Sequence, residues 1–333
     1  MYIIKSVKYN TESEWHEYFE MSQELNKKHY PDRFNENETL NNFIAQILDS
    51  YNKTKGYDNY LIKREGLPVG WFYTTTWGDV FYVGLYVNAE VIKNDLFKEV
   101  LTYVYRMMKK MKYDVLFTSS YRKANIDWFL KLNAEITEEF ISSQLVRSDI
   151  NVSELTGIIN NFSMCGSELI YAKKIEDRFF DSYLECFNLS FIDLMNLNKI
   201  ALKYEPFTKE QLISNQNSGS DKRIILLLDT ANNVLGFSEL YYIKERKMFS
   251  CDSGFTAVHP AYRGKGIAKY LKASLCSRLL SEDAEFDRIT TNTLKYNNFM
   301  NKINLDLGFK EYRRGYSFRL TKEFIEKNLR NIE

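Results

Sequence analysis

Three short landmarks occur twice in this chain, in the same order and at nearly constant spacing. Val69-Gly70-Trp71 returns as Leu235-Gly236-Phe237, an offset of 166. Val87-Asn88, at the end of one β-like run, returns as Val258-His259, an offset of 171. Leu132-Asn133, at the end of a helical run, returns as Leu307-Gly308, an offset of 175, and Asn can take the left-handed position that Gly usually fills there. Offsets that drift this little over half a chain point to duplication. They confine the fold to two copies of one strand-and-helix unit, and 333 residues give room for both.

The patterns between the landmarks fill in the copies. In the first, strands are expected over 2–9, at 80–87, at 114–118 and at 138–147, and a hairpin over 60–75 turns at Glu65-Gly-Leu-Pro68. Helical spacing covers 12–28, 36–51, 95–112 and 125–132. The stretch 151–167 is polar and small, which divides the chain into domains 1–150 and 168–333. In the second copy the pattern predicts a strand over 169–174 and helices over 176–189, 191–202 and 209–214. A hairpin over 222–243, a strand over 248–258, a helix over 267–280, a strand at 287–291, a helix at 297–307 and a closing strand near 311–320 follow. The fold class is α/β (α+β): two tandem domains, each a mixed, mostly antiparallel sheet flanked by helices.

Bulk properties exclude several functions. Lys and Arg (45) nearly balance Asp and Glu (44), so no basic excess suggests a nucleic-acid binder. Cys165, Cys186, Cys251 and Cys276 form no CxxC pair, and His16, His29 and His259 lack metal-ligand spacing. We expect reduced thiols, no metal and no disulfide frame. No apolar run has membrane-spanning length and the first residues lack a signal-peptide pattern, so the expectation is a cytoplasmic protein, monomer or homodimer.

Chemistry concentrates in Thr256-Ala-Val-His-Pro-Ala-Tyr-Arg-Gly-Lys-Gly-Ile-Ala268. An apolar β run stops at His259-Pro260, a basic glycine-bearing loop follows, and a helix begins. Backbone N–H groups at a helix N-terminus attract an anion, and glycines allow a pyrophosphate to approach closely. A ligand running back along the strand could pair with its edge through amide groups. Diphosphate plus an amide-bearing arm describes coenzyme A. Neither a GxxxxGK[ST] nor a GxGxxG string is present.

Arg263, Gly266 and Ala268 resemble the Arg/Gln-x-x-Gly-x-Gly/Ala motif of the GNAT superfamily of N-acyltransferases. Asn297-x-x-Met300-x-x-Ile303-Asn304-x-x-Leu307-Gly308-Phe309 resembles the next motif of that family. The resemblance covers 168–320, and over 1–150 it is architectural only. It implies that Phe255, Thr256, Ala257 and Val258 hold the pantetheine arm of acetyl-CoA. It further implies that Arg263, Gly264, Lys265, Gly266, Ile267 and Ala268 hold the pyrophosphate, and that Asn292 and Asn297 also contact the cosubstrate. Many members carry a tyrosine, proposed to protonate the departing thiolate, where this chain has Asn304. The string from Thr290 to Phe309 is similar to a tandem-domain branch that includes mycothiol synthase.

Transfer to an ammonium substrate also needs a base. Glu239 and Asp252 are candidates, each with an ordinary ion-paired carboxylate as the alternative. In the first copy the matching loop, Asn88–Asp95, has no glycine and carries Glu90 and Asp95, so that domain is expected not to bind acyl-CoA. Its Trp71, Tyr73, Trp77, Tyr82 and Tyr86 are either core or a wall of the amine site. The expected function is acetyl transfer from acetyl-CoA to a primary amine of a small molecule or peptide; the alternative is an acyl-CoA-binding sensor or scaffold without turnover.

Overall fold

The computed structural model describes residues 2–29, 34–53, 56–77, 80–87, 94–197, 205–216, 221–251, 255–282 and 285–331. In chain order its elements are β1 (Tyr2–Ser6), α1 (Glu12–His29), α2 (Leu40–Lys53), β2 (Asp58–Arg64), β3 (Leu67–Trp77) and β4 (Val80–Val87). Then come α3 (Asn94–Met111), β5 (Val115–Ser120), α4 (Lys123–Lys131), β6 (Glu135–Val146), α5 (Val152–Asn160) and β7 (Glu168–Ala172). The remainder is α6 (Asp177–Leu197), α7 (Lys209–Gln216), β8 (Asp221–Leu228), β9 (Val234–Ile243), β10 (Met248–Ser250) and β11 (Thr256–Val258). It closes with α8 (Ile267–Ser281), β12 (Arg288–Leu294), α9 (Asn298–Asp306), β13 (Lys310–Thr321) and α10 (Lys322–Asn331).

The chain forms two units, Met1–Glu139 with Gly315–Glu333, and Phe140–Arg314. In the first, β1, β2, β3 and β4 pair antiparallel in sequence, β4 pairs parallel with β5, and Tyr316–Thr321 of β13 lie antiparallel to β5. The second repeats this order: β7, β8, β9 and β10 antiparallel, β10 parallel to β12, and Phe140–Val146 of β6 antiparallel to β12. These bounds differ from the contiguous domains expected at 1–150 and 168–333. Phe318, Leu320 and Ile325 complete the first core, while Leu145, together with Leu155 of α5, is buried in the second. An amphipathic edge strand carries no mark of which sheet it joins, so this exchange cannot be read from local pattern.

The duplicated landmarks now have physical causes. Gly70 faces Val87 across β3 and β4, and Gly236 faces Val258 across β9 and β11. A Cβ at Gly70 would lie 2.7 Å from the Tyr86 carbonyl oxygen, and one at Gly236 2.8 Å from that of Ala257. Asn133 and Gly308 both have positive φ, 58° and 84°. Each ends its helix with the same bond to the fifth residue back, Ala134 N to Phe129 O and Phe309 N to Asn304 O, both 3.0 Å.

Other expectations changed. Helices expected at 176–189 and 191–202 are, up to Leu197, one helix, α6, because no Gly or Pro interrupts it and Ser190 bonds Val258 O instead of capping a break; 198–202 lie outside the described residues. The strand expected over 248–258 is divided. Ser250 faces Tyr241 but Thr256 faces Ser238, so six steps along one strand match three along β9. Helix α10 was not expected.

Candidate functional site

The division of that strand opens the sheet. β10 pairs with β12 only over Met248–Ser250, followed by a last bond from Cys251 N to Thr290 O, 2.9 Å. Beyond this point, among the described residues, β12 continues beside β6, whereas β11 pairs with β9 alone. Glu239 N bonds Phe255 O and His259 N bonds Leu235 O, so residues 255 and 259 turn their peptide groups towards β9. By antiparallel alternation, the N–H and C=O groups of Thr256 and Val258 point to the open edge. Val258 O there accepts from Ser190 Oγ (3.4 Å) and Arg263 Nε (3.1 Å).

The edge runs directly into a helix N-terminus. Pro260–Tyr262 make one tight turn, Gly264 and Gly266 take left-handed φ of 76° and 80°, and α8 starts at Ile267 without a side-chain cap. The first intrahelical bond is Tyr270 N to Gly266 O, which leaves the N–H groups of Ile267, Ala268 and Lys269 projecting. A Cβ at Gly264 or Gly266 would meet nothing within 4 Å. The glycines are therefore required by the sign of φ, and the space above them is open. Arg263 turns away from that space to pair with Asp193 of α6 at 2.5 Å. Lys265 remains exposed, 5.3 Å from the Tyr262 ring. Open amides, unsubstituted Cα atoms and one exposed cation suit a diphosphate; held there, a coenzyme A thioester would bring an activated acyl group to the strand edge.

The sequence candidates separate on inspection. Glu239 is buried, paired with Lys222 of β8 at 2.8 Å, and accepts a 2.5 Å hydrogen bond from Tyr183 of α6. Burial, then the Glu239 charge, pushes the Tyr183 hydroxyl well above its ordinary range, so Tyr183 acts as a donor. Lys222 also lies 5.3 Å from the ring of Tyr241. Asp252 lies outside the described residues. Asn304 is 2% exposed; its Nδ2 donates to Thr293 Oγ1 at 3.1 Å and its Oδ1 has no partner. Asn297 caps α9 by accepting from Met300 N, and exposed Asn292 accepts from the Ser142 hydroxyl. His259 is a turn residue whose Nδ1 accepts from Ala261 N. Burial raises the Cys276 and Cys186 thiols to about 11 and about 12, which removes both as nucleophiles at neutral pH. Lys222, Tyr183, Ser190 and Asp193 were not picked out by sequence, since each takes its meaning from a distant partner.

The first unit has the same joint in another state. Its β4 pairs with β5 only over Phe81–Val83. The carbonyls beyond are taken by the unit's own side chains, Val87 O by Arg122 Nη1 and Leu85 O by Asn125 Nδ2 at 3.1 Å. The glycine-free loop lies largely outside the described residues, except that Asp95 caps Leu96 N at 3.0 Å. Trp71 stacks on Tyr86 (4.1 Å), with Tyr73 and Tyr82 alongside, all half-buried; the Trp77 side chain lies outside the described residues.

Residues 178–309 match the profile of the Acetyltransferase (GNAT) family. No curated protein sequence matches the chain. Among solved structures, the chain is similar to a tandem GNAT protein from the clavulanic acid biosynthesis pathway, with TM-score 0.72 and 11% identity over 97% of this chain and 99% of that one. It is also similar to a GCN5-related N-acetyltransferase from Sphaerobacter thermophilus, with TM-score 0.66 and 9% identity over 96% of each chain. At such identities the likeness is one of fold, here a tandem GNAT fold. Among the described residues no helix is long and apolar enough to cross a membrane, and no three His, Cys, Asp or Glu are grouped to hold a metal ion.

Proposed function

We propose that the second unit transfers an acetyl group from acetyl-CoA to the primary amine of a small molecule or peptide by direct attack, with one acetyl-CoA per chain. The observation that carries this reading is the edge of β11 that faces away from β9 and runs into the open N-terminus of α8. Thr256 and Val258 hold the pantetheine arm through backbone groups. The amides of Ile267, Ala268 and Lys269, with Lys265, hold the diphosphate. In the transfer the ammonium loses one proton to a base, its nitrogen attacks and a C–N bond forms, that nitrogen gives up a second proton to solvent, the thioester C–S bond breaks, and the thiolate takes one proton up.

Glu239 is buried and already engaged by both Lys222 and Tyr183. We therefore assign the base to Asp252 and leave Glu239 a supporting role. Asn304 has no proton to give up, so the thiolate is protonated by solvent. Asn304 and the tandem arrangement favour a branch resembling mycothiol synthase, acting in the cytoplasm as a monomer or homodimer. The sequestered Glu239 and the missing acid also support a second reading, an acyl-CoA-binding sensor without turnover. Thiol release from acetyl-CoA with a panel of amines distinguishes the two: micromolar acetyl-CoA binding with no amine acetylated would leave only the sensor.

A further inference from the structure

Building on the transfer reading, we propose that the acceptor is a monoamine with an aromatic or similarly flat apolar body, seated on Phe191, Phe207 and Phe255. On the α8 side of the sheet Ile267, Leu271, Leu275 and Leu279 are buried against it, which leaves the α6 side for an incoming amine. There α6 lies along β11, with Ser190 on the Val258 carbonyl. Phe187 and Phe191 come within 5.5 and 6.3 Å of the Phe255 ring, and Phe207 within 5.3 Å of both Phe187 and Phe191. All four rings are only half-buried, although they stand beside the edge assigned to the acyl arm.

The position of Phe207 is built rather than incidental. Asn188 reads its backbone from both sides, Nδ2 to Phe207 O at 3.0 Å and Phe207 N to Oδ1 at 2.9 Å. A ring clamped in this way offers a fixed face, the arrangement that favours edge or stacked contact with a second ring. Charge points the same way. Glu239, whose backbone bonds Phe255, and Asp193, whose ion pair holds Arg263 against Val258, are both already neutralised by a cation. A polyamine or an aminoglycoside would bring several ammonium groups against these rings, and each one not met by a carboxylate would carry a large desolvation cost.

The test compares 2-phenylethylamine with spermidine and kanamycin as acceptors, by thiol release and by equilibrium binding to the CoA-loaded protein. We expect kcat/KM at least about tenfold higher for 2-phenylethylamine, and Phe191→Ala or Phe207→Ala to raise its KM about tenfold with acetyl-CoA affinity unchanged. Phe191→Leu and Phe207→Leu, which keep the packing, should give a smaller rise in the same direction. Equal or better use of spermidine or kanamycin, or an unchanged KM in the alanine variants, overturns the inference. Should no amine turn over, binding decides. Bound 2-phenylethylamine that is weakened by Phe191→Leu keeps the acceptor assignment and condemns the transfer reading, whereas absence of binding overturns the acceptor assignment itself.

Discussion

The two units have the same strand order and the same parting of their fourth and fifth strands, yet they treat the parted edge differently. In the second unit Ser190 and Arg263 take Val258 O, but the peptide groups of Thr256 and the Val258 N–H face the gap, and a glycine turn leads on to bare helix amides. In the first, Arg122 and Asn125 reach back across the gap and satisfy the carbonyls of Val87 and Leu85. Arg122 stands at the position before α4 that Asn297 holds before α9, where Asn297 caps its helix. A few side chains thus separate a unit equipped to receive a ligand from one that fills its own slot.

The largest expected effect probes the buried Glu239–Lys222 pair of the second unit; Glu239 stands three residues after Gly236, where in the first unit Tyr73 stands three after Gly70. Glu239→Leu should lower stability by roughly 3–5 kcal/mol, and adding Lys222→Met should recover most of it, as removal of both charges leaves none buried alone. Urea denaturation of the two variants checks this. If the double variant is no better than the single, the pair has a role other than mutual neutralisation.

Next, Gly266→Glu should weaken acetyl-CoA binding at least about 100-fold, since loss of the helix-end contacts is compounded by repulsion of the diphosphate. Calorimetric titration measures it, and unchanged affinity would remove the helix N-terminus from the site. Arg122→Ala should destabilise the protein by about 1–3 kcal/mol, the usual cost of an orphaned buried carbonyl, with stoichiometry still one acetyl-CoA per chain. A second bound acetyl-CoA in Arg122→Ala plus Asn125→Ala would mean that these plugs alone distinguish the units.

The smallest effect concerns acid. In the first unit the hydrogen bond from Lys5, then that from Thr11 N, holds the Glu14 carboxyl down at about 2, below its ordinary 4.5. A lowered carboxyl stabilises the fold above its unfolded value and loses that contribution as pH falls towards the folded one. The stability difference between wild type and Glu14→Gln should therefore be present at pH 6 and shrink by pH 3. It should be modest throughout, because Lys5 and Glu14 are partly solvent-screened. A difference independent of pH would assign it to packing.

Much of this was legible before any coordinates. The glycine turn, the helix after it and the hairpins announce themselves because each depends on a few adjacent residues; Glu65-Gly66, with φ of 53° and 83°, is such a turn. The two landmark glycines also pointed correctly to duplication. What stayed hidden depends on residues distant in sequence. The three-residue irregularity that parts β10 from β11, the pairing of Lys222 with Glu239, and the reach of Arg122 to Val87 each need a register that local pattern does not fix. Asn297 shows the converse, a motif residue whose helix-capping role is local and would fit any helix start.

The exchange of strands also has a consequence for how the chain is made. Phe318, Leu320 and Ile325 lie at the heart of the first unit, so the part of the protein synthesised first is the last to be finished. Until the ribosome has delivered 315–325, β5 waits with one edge bare, while Phe140–Val146, already synthesised, await β12. Delivery of 315–325, rather than passage of the midpoint, is the moment at which the first unit can close.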